Sequence, residues 1–201
     1  MNNAPISRRA RLRQATHEQH AELDALVSSL DLTKRSDYER YLFALAQGVI
    51  GFERALEAAD VERHLPDWAQ RRRRFALAMD LHALGLSACP AEIPGSLSPA
   101  AMFGVLYVLE GSRLGSQLLL SRVSGSKDEA VLGARHFLRM NDAKLWSSFL
   151  RTLEAYEPLG QDEMVLAARG AFEVFRHAFA RLCCPSWPQD ASRAGLAANV
   201  A

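Results

Sequence analysis

A histidine, an aspartate and an arginine lie along one strip of the first amphipathic segment of the chain. His20 is at the border of the apolar stripe, Asp24 follows one helical turn later, and Arg13 precedes His20 by two turns. A border imidazole can coordinate a metal while the carboxylate one turn on accepts a hydrogen bond from its other ring nitrogen. Arg13, about 10 Å from His20 along the helix axis, can pair with an acidic group at the edge of a wide ligand.

A run of glycines marks a long apolar segment near the middle of the chain. Small or short side chains recur there at spacings of four, three and four residues, at Gly104, Val108, Gly111 and Gly115. Residues with this spacing share one face of a helix. Because a glycine inside a helix costs about 1 kcal/mol relative to alanine, several on one face indicate close approach to bare backbone. A flat, rigid ligand could lie there, with Ser112 beside it.

Each pattern also has an ordinary structural explanation. A histidine with an acid one turn later is commonly a surface hydrogen bond, and glycines on one helix face commonly allow close packing of two helices. His17 and His20 could supply half of a zinc site, but no third and fourth ligand is evident. Taken together, a histidine helix and a glycine helix favour a planar macrocycle held between them.

Both segments resemble the two haem-contacting helices of the haem oxygenases. Thr16–Asp24, with Leu12 upstream, resembles their proximal-histidine helix. Tyr107–Gln117, with its Glu-Gly-Ser-x-Leu-Gly core, resembles their distal helix, especially in the bacterial branch that includes phytochrome-associated enzymes. The similarity continues through Gly133–Phe137 and Trp146–Phe149 and covers most of the chain up to about residue 182. The two motifs in this order are more specific together than either is alone.

The resemblance implies a role for each of these residues. His20 would be the axial iron ligand, Asp24 its hydrogen-bond partner, and Arg13 the partner of a haem propionate. Gly111 and Gly115 would be the distal glycines that leave room on the oxygen side. The family cleaves haem with dioxygen and electrons from a separate ferredoxin or reductase, releasing biliverdin, carbon monoxide and ferrous iron. Haem would be cofactor and substrate at once, and a bacteriophytochrome is a candidate acceptor of the biliverdin.

The sequence departs from the family pattern at two positions. Many members carry an aspartate directly after the first distal glycine to anchor water, whereas this chain has Ser112, which we expect to act with the glycines in catalysis without supplying a charge. Some members have a propionate-binding basic residue where this chain has Ser147, which leaves Lys144 or Arg151 as substitutes. The biliverdin isomer is therefore open, and a non-degrading haem carrier or sensor on the same scaffold is the alternative function.

The hydrophobic periodicity predicts an all-α fold, since no segment has the alternation of a strand. The expected helices cover residues 7–27, 38–59, 67–84, 99–123, 128–139 with a break near Gly133, and 161–182. Between the last two, Asn141 or Asp142 can cap a helix that runs to Tyr156. Ser36 with Glu39 is a candidate capping box, and Ser98 followed by Pro99 is a candidate start of the central helix.

We expect these helices to form one haem-oxygenase-like bundle over residues 1–182, with haem between the first helix and a kinked distal helix. Residues 183–201 are expected to be a tail, because two prolines and small residues leave no periodicity there. The tryptophans Trp68, Trp146 and Trp187, and the phenylalanines Phe172, Phe175 and Phe179, are expected in the core. The cationic run Arg71–Arg74 is expected to be mainly solvated, with docking of an acidic partner as a minor alternative.

Composition excludes several classes of protein. The chain has 24 Lys and Arg against 23 Asp and Glu, a net charge of +1, which indicates no nucleic-acid partner. No uncharged apolar stretch reaches the roughly 18 residues of a membrane span. The three cysteines form no disulfide framework, and no signal-peptide pattern is present, so the expected compartment is the cytoplasm.

Overall fold

The computed structural model of the chain describes residues 6–87, 90–93, 95–157 and 160–182, and all regular structure in these ranges is helical. The α-helices are α1 (Arg8–Ala15), α2 (His17–Ser28), α3 (Arg35–Ala58), α4 (Trp68–Arg71), α5 (Arg74–Ala83), α6 (Pro99–Val123), α7 (Glu129–Gly133), α8 (His136–Arg139), α9 (Ala143–Ala155) and α10 (Gln161–Leu182). A short 3-10 turn, Val61–Arg63, follows α3. The all-α prediction is confirmed.

The first amphipathic segment is two helices, because the backbone leaves helical geometry at Thr16. Ser7 caps α1 by accepting a hydrogen bond from the backbone N–H of Ala10. Thr16 has φ −113° and ψ 10°, is buried, and donates its hydroxyl to the carbonyl oxygen of Leu12 at 2.8 Å. The expectation of one unbroken helix over residues 7–27 is therefore wrong at this residue, although α2 still carries His20.

Two further helix boundaries differ from expectation. Helix α3 begins at Arg35, and its N-cap is Lys34 without a side-chain hydrogen bond, so the expected capping box does not form. The expected helix over 67–84 is interrupted between α4 and α5 at Arg72 and Arg73. It ends as predicted before Gly85, whose φ of +77° is in the left-handed region that glycine adopts readily.

The central and later helices begin where the sequence predicts. Ser98 accepts from the backbone N–H of Ala101, and Pro99 is the first residue of α6. Asp142 accepts from Lys144 at the start of α9. Helix α6 is continuous through both distal glycines, and the kink expected there stays a prediction.

Helix α10 holds the bundle together, since it packs against α6, α3, α2 and α1. Gly104 makes the closest of these approaches possible: an ideal Cβ at this position would lie 2.2 Å from the carbonyl oxygen of Met164. For Gly104, therefore, the ordinary explanation of close helix packing is correct. Trp68 and Trp146 are buried, as are the three phenylalanines of α10, so these core predictions are confirmed.

Trp187 and the rest of the expected tail, 183–201, lie outside the described residues. The division at residue 182 accordingly stays a prediction. None of the helices in the described ranges combines the length and the apolar character that crossing a bilayer requires.

Candidate functional site

Helices α1, α2, α3, α6 and α10 surround a cavity of about 690 Å³, within the usual range for small-molecule sites. The histidine helix and the glycine helix, α2 and α6, both contribute to its wall. All the cofactor and catalytic residues proposed from the sequence are among its lining residues, namely Arg13, His20, Asp24, Gly111, Ser112 and Gly115. Much of the remaining wall is apolar and comes from Leu45, Val49, Phe172, Phe175 and Phe179. The two sequence motifs therefore meet at one cavity.

His20 is held in one orientation while one of its nitrogens stays available. Its Nδ1 lies 2.9 Å from Oδ2 of Asp24, and its ring meets the ring of Phe172 in an edge-on arrangement with centroids 5.7 Å apart. A hydrogen bond from Nδ1 to a carboxylate places the lone pair of a neutral imidazole on Nε2, the tautomer that binds metals. The side chain is 63% exposed and lines the cavity.

His17 also lines the cavity, which the sequence did not predict, because the helical wheel places it on the solvated side. It is the first residue of α2, directly after the break at Thr16. Two imidazoles one turn apart therefore face the same space, and His20 is distinguished from His17 by its carboxylate partner. Within the described residues no group of three or more His, Cys, Asp or Glu forms a metal site, so the zinc alternative gains no support.

The glycines on α6 divide into two kinds. Gly104 packs against α10, whereas Gly111 and Gly115 face the cavity. Among the described residues, an ideal Cβ at Gly111 would meet only the ring of Trp146, at 3.7 Å, and one at Gly115 would meet nothing within 4 Å. Packing of protein atoms therefore does not require glycine at either of these two positions.

Ser112 is joined to a buried cation that sequence reasoning missed. Arg73, which is 1% exposed, donates Nη2 to Oγ of Ser112 and to the carbonyl oxygen of Leu109, both at 2.7 Å. Its guanidinium also lies over the ring of Phe137, 4.7 Å from the centroid. Burial, followed by the positive charge of Arg113, lowers the pKa of Arg73 to about 10, so the group remains protonated at neutral pH.

A second buried charge cluster lies behind the glycine helix and involves Arg71, Glu110 and Arg113. Nη1 of Arg71 donates to Oε2 of Glu110 at 2.8 Å and to the carbonyl oxygen of Leu145 at 2.9 Å. Arg113 donates two hydrogen bonds to the same carboxylate, from Nε to Oε2 and from Nη2 to Oε1, each at 2.9 Å. Asp67 accepts from Nε of Arg71 at 2.7 Å. The cluster fixes α6 against α4 and against the start of α9.

The expectation of a mainly solvated cationic run is wrong for two of its four residues. Arg71 and Arg73 are buried, whereas Arg72 and Arg74 are partly exposed and pair with Glu57. The cause is the interruption between α4 and α5, because side chains that flank a break do not follow the helical wheel. Burial alone lowers the pKa of Arg71, but the hydrogen bonds to Asp67 and the charge of Glu110 raise it above its ordinary value.

Arginines line the cavity, but they are not the two residues that we expected to replace the propionate-binding base of the family. Arg9, Arg13 and Arg122 line it, whereas Lys144 and Arg151 do not. Arg9 and Arg13 are near the phenol of Tyr107, another lining residue: burial raises the pKa of Tyr107, and the charges of these two arginines partly offset that rise. A ligand with acidic groups would meet arginines without any contribution from the helix that contains Ser147.

Comparison with known proteins gives a consistent assignment. No protein-family model matches the chain. The chain is 30% identical over 174 residues to haem oxygenase PigA of Pseudomonas aeruginosa, covering 84% of this chain and 87% of that one. It is 35% identical over 106 residues to a haem oxygenase of Xanthomonas campestris pv. campestris, covering 52% of this chain and 64% of the other.

The fold has a counterpart among solved structures. The NO- and CO-bound haem oxygenase of Neisseria meningitidis superposes with a TM-score of 0.72 at 23% identity, covering 89% of this chain and 92% of that one. Because the similarity to PigA extends over most of both sequences, and the histidine and glycine motifs line one cavity of this helical fold, the chain belongs to the haem oxygenase family.

Proposed function

We propose that this protein is a haem oxygenase that cleaves haem with dioxygen and reducing equivalents to biliverdin, carbon monoxide and ferrous iron. The observation that carries the proposal is the arrangement of His20, oriented by Asp24, and the bare backbone of Gly111 and Gly115 around one cavity. Membership of the family favours turnover over the alternative of a non-degrading carrier or sensor.

The residues present fit a haem group. The mostly apolar wall suits the porphyrin face, and the free Nε2 of His20 suits iron. Because Gly111 and Gly115 add no side chain to the cavity, they would leave space for dioxygen beside a bound haem. When bound, haem supplies the iron that activates dioxygen and is itself the molecule oxidised.

Each residue then has a definite task. His20 would hold the iron through Nε2, with Asp24 keeping the imidazole in the required tautomer. Gly111 and Gly115 would present main chain without side chains to the bound group. Arg13 binds a propionate, with Arg9 and Tyr107 close to the same part of the cavity. The position of Arg13 in the cavity lining supports this assignment.

Ser112 and Arg73 are proposed to hold the water and the proton on the distal side. Ser112 lines the cavity but carries no charge, and the hydrogen bond from Nη2 of Arg73 brings a cation to its hydroxyl. Nη1 of Arg73 is buried and makes no hydrogen bond to the described part of the protein. A buried donor without a protein partner is a place where an ordered water can bind. Arg73 thus brings a positive charge and a hydrogen-bond donor to Ser112, at the position where many relatives have the negative charge of an aspartate.

The external partners rest on the family resemblance. We propose that a separate ferredoxin or reductase supplies the electrons and that a bacteriophytochrome is a candidate acceptor of biliverdin. The resemblance of Tyr107–Gln117 to the distal helix of bacterial, phytochrome-associated members supports this choice.

The function is tested by turnover. Purified protein is incubated with haemin, a ferredoxin with its reductase, and air, while the Soret band is followed and the product is separated by chromatography. We expect the Soret band to bleach, a biliverdin spectrum to appear, and carbon monoxide to be released. A stable Soret band without a verdin product would show the carrier function instead.

Substitution of Arg73 by methionine is expected to reduce turnover by about 100-fold, the usual effect of removing one fixed donor from a catalytic site. Haemin affinity should change by less than about threefold, because Arg73 does not line the cavity. Arg72→Met is the matched control: Arg72 is adjacent, half-buried, and pairs with Glu57 away from Ser112. Equal rates for the two variants would exclude Arg73 from the distal network.

Substitution of Gly115 by leucine is expected to reduce turnover by about tenfold or more, because the side chain enters the space that the glycine leaves open. The apo-protein should fold at least as well as the wild type, since an open helical glycine destabilises a helix by about 1 kcal/mol. Gly170→Leu on α10 is the control, because Gly170 also has nothing within 4 Å and does not line the cavity. Unchanged turnover in Gly115→Leu would contradict the assignment of a distal wall.

A further inference from the structure

Gly48 lies in the middle of α3, is buried, and does not line the cavity, although its neighbour Val49 does. An ideal Cβ at Gly48 would lie 2.3 Å from Cε1, 2.6 Å from Cζ and 2.8 Å from Cδ1 of Phe175. These three atoms form one edge of the phenyl ring. The ring of Phe175 therefore lies directly against the bare backbone of Gly48.

The same ring forms part of the cavity wall. Phe175, on α10, is 5% exposed and lines the cavity together with Phe172 and Phe179. The ring of Phe52 lies on another side, with its centroid 6.0 Å away. Phe175 thus lies between Gly48 and the cavity, and its position decides how far the cavity extends towards this one residue of α3.

The other tightly packed glycines of the described chain do not have this arrangement. A Cβ at Gly104 would meet the backbone of Met164, and one at Gly51 would meet the carbonyl oxygen of Ala91. Backbone atoms can move away only if whole segments separate. Gly104 and Gly51 therefore fix the distance between the two segments that pack at each of them. At Gly48 the obstacle is the far end of a side chain, which can move where there is space.

The direction of that movement follows from the neighbours. Ordinary contact begins at 3.4 Å, so a methyl group at Gly48 requires the ring to retreat by about 1 Å from the position that gives 2.3 Å. Phe52 limits movement on its side, and Gly48 itself closes another. The ring also borders the cavity, and a ring displaced in that direction occupies volume that a ligand would use.

We propose that Gly48 is a specificity-determining residue, which sets the position of the Phe175 ring and thereby limits the size of the macrocycle that the cavity accepts. The inference rests on the proposed function for the identity of the macrocycle. A glycine required only for packing would alter stability, whereas a glycine that sets the depth of the cavity alters the preference between ligands of different size.

The test uses two iron porphyrins that differ at the macrocycle edge: haemin, with two vinyl groups, and deuterohaemin, which has hydrogen at those positions. Apo-protein is titrated with each, and the dissociation constants are taken from the Soret change. In Gly48→Ala we expect haemin affinity to fall by roughly 5- to 100-fold, the range for overpacking by a methyl group, and deuterohaemin affinity to fall less. The double variant Gly48→Ala with Phe175→Leu should return the ratio towards that of the wild type.

Phe175→Leu alone keeps the experiment decisive if Gly48→Ala does not fold. It leaves Gly48 in place and enlarges the cavity, so it should move the haemin to deuterohaemin ratio in the opposite direction. Gly170→Ala is the control and should leave both constants unchanged. An unchanged ratio in folded Gly48→Ala or in Phe175→Leu overturns the inference while wild-type binding and turnover still support the enzyme. Wild-type protein that binds neither porphyrin overturns the proposed function and this inference together.

Discussion

Replacing His20 with alanine is expected to remove the axial iron ligand and to lower turnover by more than about 100-fold, since loss of even a residue that orients a metal ligand costs about 10- to 100-fold. The ferric haem complex should lose the absorption and resonance-Raman features of histidine ligation. Added imidazole should restore part of both, because the space vacated by the ring remains within the cavity.

The fold should tolerate this change. Helix α2 has no fully buried residue, and the His20 side chain is largely exposed to the cavity, so the free energy of unfolding of the apo-protein should change by less than about 0.5 kcal/mol. His17→Ala is the matched control, since His17 lines the same cavity one turn away without an aspartate partner. Loss of histidine ligation in His17→Ala, with ligation retained in His20→Ala, would reverse the assignment.

Substitution of Glu110 by glutamine is expected to destabilise the protein by about 3–5 kcal/mol, the usual consequence of breaking a buried ion pair. Glu110 is 2% exposed and accepts from both Arg71 and Arg113, so its loss leaves one buried cation without a carboxylate and the other dependent on Asp67. Glutamine preserves the size of the side chain, and the effect therefore reports the charge.

Urea denaturation of the apo-protein, followed by circular dichroism, measures this loss. Glu39→Gln is the control: Glu39 pairs with Arg35 one turn away near the surface, and such pairs contribute less than about 1 kcal/mol. If both variants lost the same stability, the cluster behind the glycine helix would not be the anchor of α6 that its hydrogen bonds indicate.

The sequence predicted those parts of the fold that depend on local chemistry. The structure confirms the helix boundaries predicted at Ser98 with Pro99, at Asp142 and at Gly85. Each of these boundaries depends only on the backbone within one turn of the residue that marks it. The break at Thr16 was missed because a threonine is compatible with a helix. Its buried hydroxyl bonds to Leu12, and that burial depends on the fold around it.

The candidate site likewise combines local features, which the sequence predicts, with contacts between distant segments, which it does not. His20 and Asp24 lie one turn apart on α2, so their spacing alone places them together, whereas Arg13 precedes the break at Thr16 and reaches the same cavity from α1. Ser112 carries no charge, and the cation that donates a hydrogen bond to it, Arg73, is 39 residues away in the chain. Only the interruption between α4 and α5 brings Arg73 to Ser112, and that interruption has no local sequence signal comparable to a proline or glycine.

Gly104 and Gly115 illustrate a further limit of pattern reading. Both belong to one line of small residues on α6, yet one packs against the backbone of α10 and the other faces open space in the cavity. Helical spacing identifies the face but not what lies against it. The position of α10 along α6, which only the tertiary structure specifies, separates the packing glycine from the ligand-facing one.

A crystal structure of the protein with haemin tests the central claim most directly. The account predicts iron bound to Nε2 of His20, with Asp24 still on Nδ1, the main chain of Gly111 and Gly115 across the opposite face, and a propionate at Arg13. Haem ligated by another side chain, or seated outside the space between α2 and α6, would contradict it.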